Sequence, residues 1–302
     1  MGEIRQQNQK TIGFSTNNRE SESLTRGSVY RELLLRLQGA TTVTAGNNTA
    51  ANTAKGDEWG VVKNIRIIGN STDVIKEIDG NALWWLNYFL YGTKPPVTPT
   101  LGDGATANPA FDSTLKMPFW MPNAIRPMDT ALDSRQLSDL KVEVNWGTFT
   151  DINSAATAWT TEPTLEVHSN EQLNIGGPFS QFRIFSLEKE ITATNSKFQV
   201  QLPVNNVYRG FLMNFTDAGV DDNAVLNNFK IKSGSNVFAD MPAEVMQQNT
   251  IMEKQLSRGF SGSAYDDLRV GDDNNFGGWY LYDHVKDGRL SDAIATLGFS
   301  EI

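Results

Sequence analysis

The sequence predicts an all-β protein made of two consecutive β-sandwich units, each with one short helix inserted. Two observations lead to this prediction. Short runs of alternating apolar and polar residues recur along the chain, and the order of the predicted elements occurs twice. Alternation with a period of two puts one face of a segment on a core and the other in water, which is the pattern of a β-strand.

Three uninterrupted alternating runs give the clearest strand signals, at Leu140–Trp146, Lys197–Leu202 and Asn228–Lys232. Weaker alternation marks Val29–Leu37 and Trp59–Ile68. Polar loops rich in Gly and Asn separate these runs, as expected for turns and exposed surface. Further strand candidates lie at 72–78, 114–121, 164–168, 182–185, 207–215, 226–232 and 279–285.

A helix is predicted over residues 81–91, between a capping Asp79 and a terminating Gly92. This segment is apolar nearly all round, so we expect it to be buried on several sides. A ligand platform and a membrane-facing helix are alternatives, but a structural plug or subunit contact is favoured because aromatic side chains gain much from burial. The aromatic side chains concerned are those of Trp84, Trp85, Tyr88 and Phe89.

A second helix is predicted over residues 242–256, with Glu244 in its first turn and Lys254 near its end. Its apolar face is predicted to consist of Met241, Val245, Met252 and Leu256.

The order of two strands, a helix, a strand and a Leu-Ser-Asp segment occurs twice. In this alignment 59–68 corresponds to 207–215, and Arg135–Leu140 corresponds to Arg289–Ile294. Because a jelly roll needs about eight strands, the repeat predicts two consecutive jelly-roll β-barrels. The first is expected over 26–175 and the second, which looks one strand short, over 176–302.

Composition excludes several classes of function. The chain has no cysteine, so disulfides, thiolate metal sites and cysteine catalysis are excluded. A net charge of −9 argues against a protein that binds nucleic acid directly. The opening residues have no apolar run, so no signal peptide is predicted. No apolar stretch of 18 residues occurs, so no membrane-spanning helix is predicted.

No catalytic, cofactor or metal site is predicted, and the protein is not expected to be an enzyme. The two histidines, His168 and His284, fall in different halves and form no metal-binding cluster. The stretch Gly259–Ser263 resembles a nucleophile elbow, but it lacks the final Gly and follows a helix. Acidic clusters in loops, at Asp217/Asp221/Asp222, Asp266/Asp267 and Asp272/Asp273, leave a structural cation as an open alternative.

Residues 1–25 are predicted to be an extended N-terminal arm, because few of them are apolar. The arm is expected to run under the barrels and to contact a neighbouring subunit or a membrane surface, and a disordered tail with no role is the alternative. The residues expected to make that contact are Arg5, Lys10, Phe14 and Arg19.

The pattern resembles the double jelly-roll major capsid proteins of tailless icosahedral viruses, and most of all those of small membrane-containing bacteriophages of the corticovirus and finnlakevirus types. In the first half, Val61–Asn70 followed by Ile78–Trp84 looks like the strand, Asp-Gly turn and helix entry of a barrel. In the second half, Tyr208–Gly219 and Trp279–Val285 look like the corresponding strands.

The resemblance implies a homotrimer of pseudo-hexagonal outline that tiles an icosahedral shell over an internal membrane. Its partners would be other copies of itself, penton and other minor capsid proteins, and the viral membrane surface. It implies a place in the virion after synthesis in the host cytoplasm. A virion spike or a carbohydrate-binding β-sandwich is the alternative; a jelly-roll enzyme is disfavoured because no catalytic cluster is visible.

Overall fold

The computed structural model describes residues 3–49, 57–191, 197–217, 220–221, 225–254, 256, 278–285 and 288–296. Strands predominate over this part of the chain, and each half carries one α-helix of 12 residues. These helices are α1 (Gly80–Tyr91) and α2 (Ala243–Lys254). The predicted all-β class with a short helix in each half is confirmed.

The first half closes into two facing antiparallel sheets. One sheet has the order β1-β9-β3-β6, with β7 also paired to β3, and the other has the order β2-β8-β4-β5. This arrangement of eight longer strands is a complete jelly roll. The strands are β1 (Glu3–Gly13), β2 (Arg19–Ser23), β3 (Val29–Thr42), β4 (Val62–Gly69), β5 (Asp73–Ile78), β6 (Ala110–Pro118), β7 (Leu132–Asp133), β8 (Leu140–Trp146) and β9 (Ala158–Leu173).

The core of this barrel lies between the two sheets and follows directly from the alternation in the sequence. Leu33, Leu35 and Leu37 point inward from β3, and Val142 and Val144 point inward from β8. The residues between them on each strand are only partly buried. The period-two alternation in the sequence therefore predicts both these strands and the faces that they turn to the core.

The residues expected to form an extended N-terminal arm are largely two strands of the first barrel. Strand β1 pairs with β9 from Glu3 opposite Leu173 to Gly13 opposite Thr164, and β2 pairs with β8 along its whole length. Among the described strands each of these pairs with one neighbour, so each is the edge of its sheet. Edge strands carry polar residues on exposed positions, which is why this segment resembles a solvated tail in sequence.

The second half repeats the middle of the first. The hairpin β14–β15 leads into α2 as β4–β5 leads into α1, and β11 pairs with β16 as β3 pairs with β6. The strands are β10 (Val207–Tyr208), β11 (Gly210–Asn214), β12 (Thr216–Asp217), β13 (Val220–Asp221), β14 (Asn228–Ser233), β15 (Asn236–Pro242), β16 (Trp279–Asp283) and β17 (Ile294–Ala295).

The repeat exists, but the alignment predicted from sequence is one strand out of step. Val207-Tyr208 pairs with β17 as Val29-Tyr30 pairs with β7, so residues 207–214 correspond to β3 and not to 59–68. The Leu-Ser-Asp match, which pairs Ser138 with Ser291, is also wrong, because the structure gives Thr296 the position of Ser134 and so separates the two triplets. The Ser134 hydroxyl donates to the carbonyl of Ser28 at 2.6 Å, and the Thr296 hydroxyl donates to that of Asn206 at 2.8 Å.

The described part of the second half contains no strands equivalent to β1, β2, β8 and β9. The predicted strands at 182–185 and 197–202 are instead irregular. Since β9 covers Val29 by pairing it with Gln172, that side chain is 0% exposed, whereas the equivalent Val207 is 59% exposed. Large exposed apolar side chains accordingly concentrate between residues 185 and 252.

Candidate functional site

The most heavily buried feature joining the two halves is helix α1. The Asp79 side chain caps it by accepting from the amide of Ala82 at 2.7 Å, and Gly92 ends it in the left-handed region at φ 72°. Gly80 is required at its start, because a Cβ there would lie 2.2 Å from the carbonyl oxygen of Trp59. Burial raises the pKa of Asp79, and the amide of Ala82 opposes that rise.

Helix α1 covers the edge of the first barrel that is formed by β6. The Asn87 side chain donates to the carbonyl of Lys116 on β6 at 2.8 Å and accepts from the amide of the same residue at 2.9 Å. It also donates to the carbonyl of Leu83 one turn earlier. An uncovered strand edge is a template for aggregation, and Asn87 closes this one as a further strand would.

The aromatic residues of α1 extend the core of the first barrel into the second half. Trp85 stacks on Trp279 of β16, with ring centroids 5.7 Å apart and planes at 21°. The apolar cluster of the first barrel continues through this pair to Leu281 and Leu256. A large apolar contact of this kind holds two units in one orientation. Trp84, Trp85, Tyr88 and Phe89 are all buried.

Helix α2 covers the edge of β16 in the equivalent way. Thr250 donates through its hydroxyl to the carbonyl of Leu281 at 2.9 Å, and Gln247 donates to that of Trp279 at 3.1 Å. The predicted apolar face is therefore wrong in part, because polar side chains point inward while Val245 and Met252 are exposed. Of the other two residues predicted for that face, Met241 is half-buried and Leu256 is buried.

A buried ionic cluster lies beside α2. Asp283 accepts from Lys254 at 2.6 Å and from Arg209 at 3.2 Å, and it also accepts from the amide of Val285. Burial pushes the pKa of Asp283 upward, but Arg209 and Lys254 outweigh it and hold that pKa below its ordinary value. The cluster ties α2 to β16 and to the start of β11. No sequence pattern indicates this cluster, because its members are far apart in the chain.

Lys76 is a second feature that sequence reasoning missed. Its side chain is fully buried, its Nζ lies 3.7 Å from the ring centre of Phe182, and no hydrogen-bond partner for that atom occurs among the described residues. Burial, aided by the charge of Arg183, holds the pKa of Lys76 well below its ordinary value. The segment that carries Phe182 and Arg183 runs along the edge of β5, where the carbonyl of Ile184 accepts from the amide of Glu77 at 2.9 Å.

The four N-terminal residues predicted to contact a neighbour or a membrane have partners within the chain. Arg5 pairs with Glu171 at 2.6 Å, Lys10 with Glu22 at 3.4 Å and Arg19 with Glu143 at 3.7 Å. Phe14 packs edge-on against Trp146 and Trp159. The three basic side chains stay 40–49% exposed, so an additional contact through this face stays a prediction.

The two histidines lie apart and each has a local partner. His168 lies 3.3 Å from Glu166, and Nδ1 of His284 lies 2.9 Å from the hydroxyl of Tyr282. Over the described ranges no group of three or more His, Asp or Glu side chains is arranged to hold a metal ion. Gly259–Ser263 and the acidic pairs at 266/267 and 272/273 lie outside those ranges. Neither α-helix in the described residues is long and apolar enough to cross a membrane.

Comparison with known proteins gives matches in structure only. A scan against protein-family models found no match, and no curated protein matches the sequence. Among solved structures, the chain is similar to the major capsid protein of Sulfolobus Turreted Icosahedral Virus. That alignment has a TM-score of 0.70 and 11% identity, and it covers 99% of this chain and 90% of that one.

Two further solved structures show the same likeness. The major capsid protein of bacteriophage PM2 aligns with a TM-score of 0.57 and 13% identity, over 99% of this chain and 90% of that one. A chain of the PBCV-1 virus capsid aligns with a TM-score of 0.56 and 11% identity, over 95% of this chain and 79% of that one. At these identities the likeness shows the fold: the chain is a double jelly roll, as predicted.

Proposed function

We propose that the chain is the major capsid protein of an icosahedral virus with an internal membrane, and that it assembles as homotrimers of pseudo-hexagonal outline. The observation that carries the proposal is the likeness to viral major capsid proteins over 99% of the chain. The continuous apolar contact through Trp85 and Trp279 supports it, because it makes the two barrels one rigid building block.

We assign no catalysis to the chain. The proposed partners of the chain are other copies of itself, together with penton and other minor capsid proteins, and the chain makes no direct contact with nucleic acid. Its net charge of −9 supports the last point, since phosphate binding favours a basic surface. Its place is the virion, after synthesis in the host cytoplasm. Contact with the membrane would use the exposed parts of Arg5, Lys10 and Arg19.

The test is electron microscopy of the assembled particle, combined with analytical ultracentrifugation of the purified chain. The expected results are a shell of pseudo-hexagonal units and a stable trimer in solution. A small oligomer that binds carbohydrate and builds no shell would contradict the proposal and favour a lectin-like β-sandwich. A chain that stays monomeric at micromolar concentration would contradict the trimer.

A further inference from the structure

The contact between the two halves has two sides, and each side has a counterpart elsewhere in the molecule. On one side are α1 residues such as Trp85 and Phe89, which are 3% and 0% exposed. On the other side is the outer face of β11 and β16, formed by Leu212, Trp279 and Leu281, which belongs to the same apolar cluster as α1. The inner face of those strands belongs to a separate cluster within the second half.

Hydrogen bonds define which residues of α2 are equivalent to those of α1. Asn87 bonds to the carbonyl of Leu83 and to β6, and Thr250 bonds to the carbonyl of Met246 and to β16. With Asn87 and Thr250 aligned, Gln248 takes the position of Trp85 and Met252 takes that of Phe89. Gln248 is exposed and Met252 is 70% exposed. The surface that α1 buries against the second half is thus open on α2.

The outer face of β11 and β16, on which α1 packs, also has an equivalent on the first barrel. The register of β3 with β6 matches that of β11 with β16, so Leu34 opposite Lys116 corresponds to Leu212 opposite Leu281. In the same register Thr114 corresponds to Trp279. Leu34 and Lys116 are half-buried and Thr114 is exposed, and all three lie on the outer face of the sheet.

Resting on the proposed self-assembly, we propose that the exposed face of α2 in one copy docks on the outer face of β3 and β6 in a second copy. This contact between two copies would have the same geometry as the contact of α1 with β11 and β16 within one chain. Such a contact joins two different patches, so it is heterologous, and its repetition closes into a ring or extends as a filament. Closure after three copies gives six barrels.

The chemistry of the two surfaces agrees with a contact between separately folded copies. Where α1 presents Trp85, α2 presents Gln248; where β16 presents Trp279 and Leu281, β6 presents Thr114 and Lys116. Interfaces between chains that fold before they meet are more polar than a domain core. Met252 and Leu34 provide the apolar centre, and Lys116 faces a helix that carries Glu244 and Glu253 in its exposed positions.

The absence of cysteine from the chain permits a direct test by cross-linking. One batch carries Gln248→Cys, a second carries Thr114→Cys, and the two are mixed, allowed to exchange subunits and treated with a short bismaleimide linker. A covalent dimer containing one chain of each kind is expected. The matched control replaces Gln248→Cys by Val237→Cys, at an exposed site on β15 in the same half, and should give no such dimer.

The second variant is Met252→Glu, measured by analytical ultracentrifugation beside Val237→Glu. Since the Met252 side chain is 70% exposed in the single chain, its melting temperature as a monomer should not change. The dissociation constant of the oligomer should rise about tenfold or more, as for loss of one buried apolar side chain. The control should assemble like the unaltered chain.

The outcomes separate this inference from the proposed function. An oligomer whose dissociation constant is unchanged by Met252→Glu, or that shows no Gln248–Thr114 cross-link, overturns the docking surface while self-assembly stands. Cross-linking of equal yield through Val237→Cys also overturns it. A chain that never self-associates overturns both.

Discussion

Replacement of Trp85 by alanine tests whether α1 holds the two barrels together. Trp85 is 3% exposed and stacks on Trp279 at 5.7 Å, with Trp84, Tyr88 and Phe89 around it. Removal of a buried Trp side chain costs about 3–5 kcal/mol in lost transfer energy and cavity formation. About 0.5–1.5 kcal/mol of this belongs to the aromatic pair itself.

The assay is a double-mutant cycle of Trp85→Ala with Trp279→Ala, followed by urea unfolding monitored by circular dichroism. The coupling energy should be about 1 kcal/mol, because the two rings are in contact. A chain of this size need not unfold in one step, so hydrogen exchange at β4 and β16 should report on each half separately. We expect Trp85→Ala to uncouple the halves, so that β16 loses protection before β4.

The matched control is Trp146→Ala, at a buried site where β8 packs on Phe14. Its cost should be similar, but it should add to that of Trp279→Ala without coupling, because the two residues share no contact. A Trp85→Ala chain that melts like the unaltered protein would refute the reasoning. Equal coupling of Trp279 to Trp85 and to Trp146 would also do so, since the effect would then be global and not carried by the stacked pair.

Three further predictions follow from buried charges and from the N-terminal strands. Lys76→Met should stabilise the protein at pH 7 by about 1–3 kcal/mol, because an amine that is charged when unfolded must be buried on folding. That gain should shrink as pH approaches about 10.4, the pKa of unfolded lysine, and a less stable variant at pH 7 would show that the ring of Phe182 holds a charged amine. Asp283→Asn should cost about 3 kcal/mol at neutral pH, since it leaves Arg209 and Lys254, which are largely shielded from water, without their carboxylate. The folded-state pKa of Asp283 is lowered, so the carboxylate stabilises the fold above the unfolded pKa of about 3.9, and this stabilisation is lost as pH falls further. The melting temperature of the unaltered protein should therefore fall over that pH range through loss of this carboxylate, and that part of the fall should be absent from Asp283→Asn. Deletion of residues 1–25 should prevent folding of the first barrel, as judged by circular dichroism, and a deleted chain with an unchanged melting curve would support an extended arm outside the barrel.

Alternation predicted the interior of the first barrel because those strands lie between two neighbours with one face on the core. Leu33, Leu35 and Leu37 are all buried, and the residues between them are not. The same rule failed at residues 3–13, because an edge strand has a single neighbour and few of its positions reach the core. Ile12 is buried there, whereas Ile4 is 57% exposed. Composition cannot distinguish such a strand from a tail.

The repeat was recognisable from sequence, but its register was not. The order of elements and the shared Leu-Ser-Asp triplet favour an alignment that is one strand out of step. The structural correspondence depends on single hydrogen bonds, such as those of Ser134 with Ser28 and of Thr296 with Asn206. A hydroxyl that both donates to and accepts from a distant backbone leaves no pattern in the sequence, because either Ser or Thr performs the task and neighbouring residues are unconstrained.

Helix α2 shows why amphipathicity misleads when a helix covers the edge of a sheet. A strand edge presents carbonyl and amide groups, so the residues that face it are polar, as Thr250 and Gln247 are. Apolar residues on such a helix then serve contacts with something other than its own strand edge. On α1 that second contact is the other half of the chain, which explains why the helix is apolar nearly all round. The proposed docking of α2 on a second copy would give the exposed Met252 a contact of this second kind.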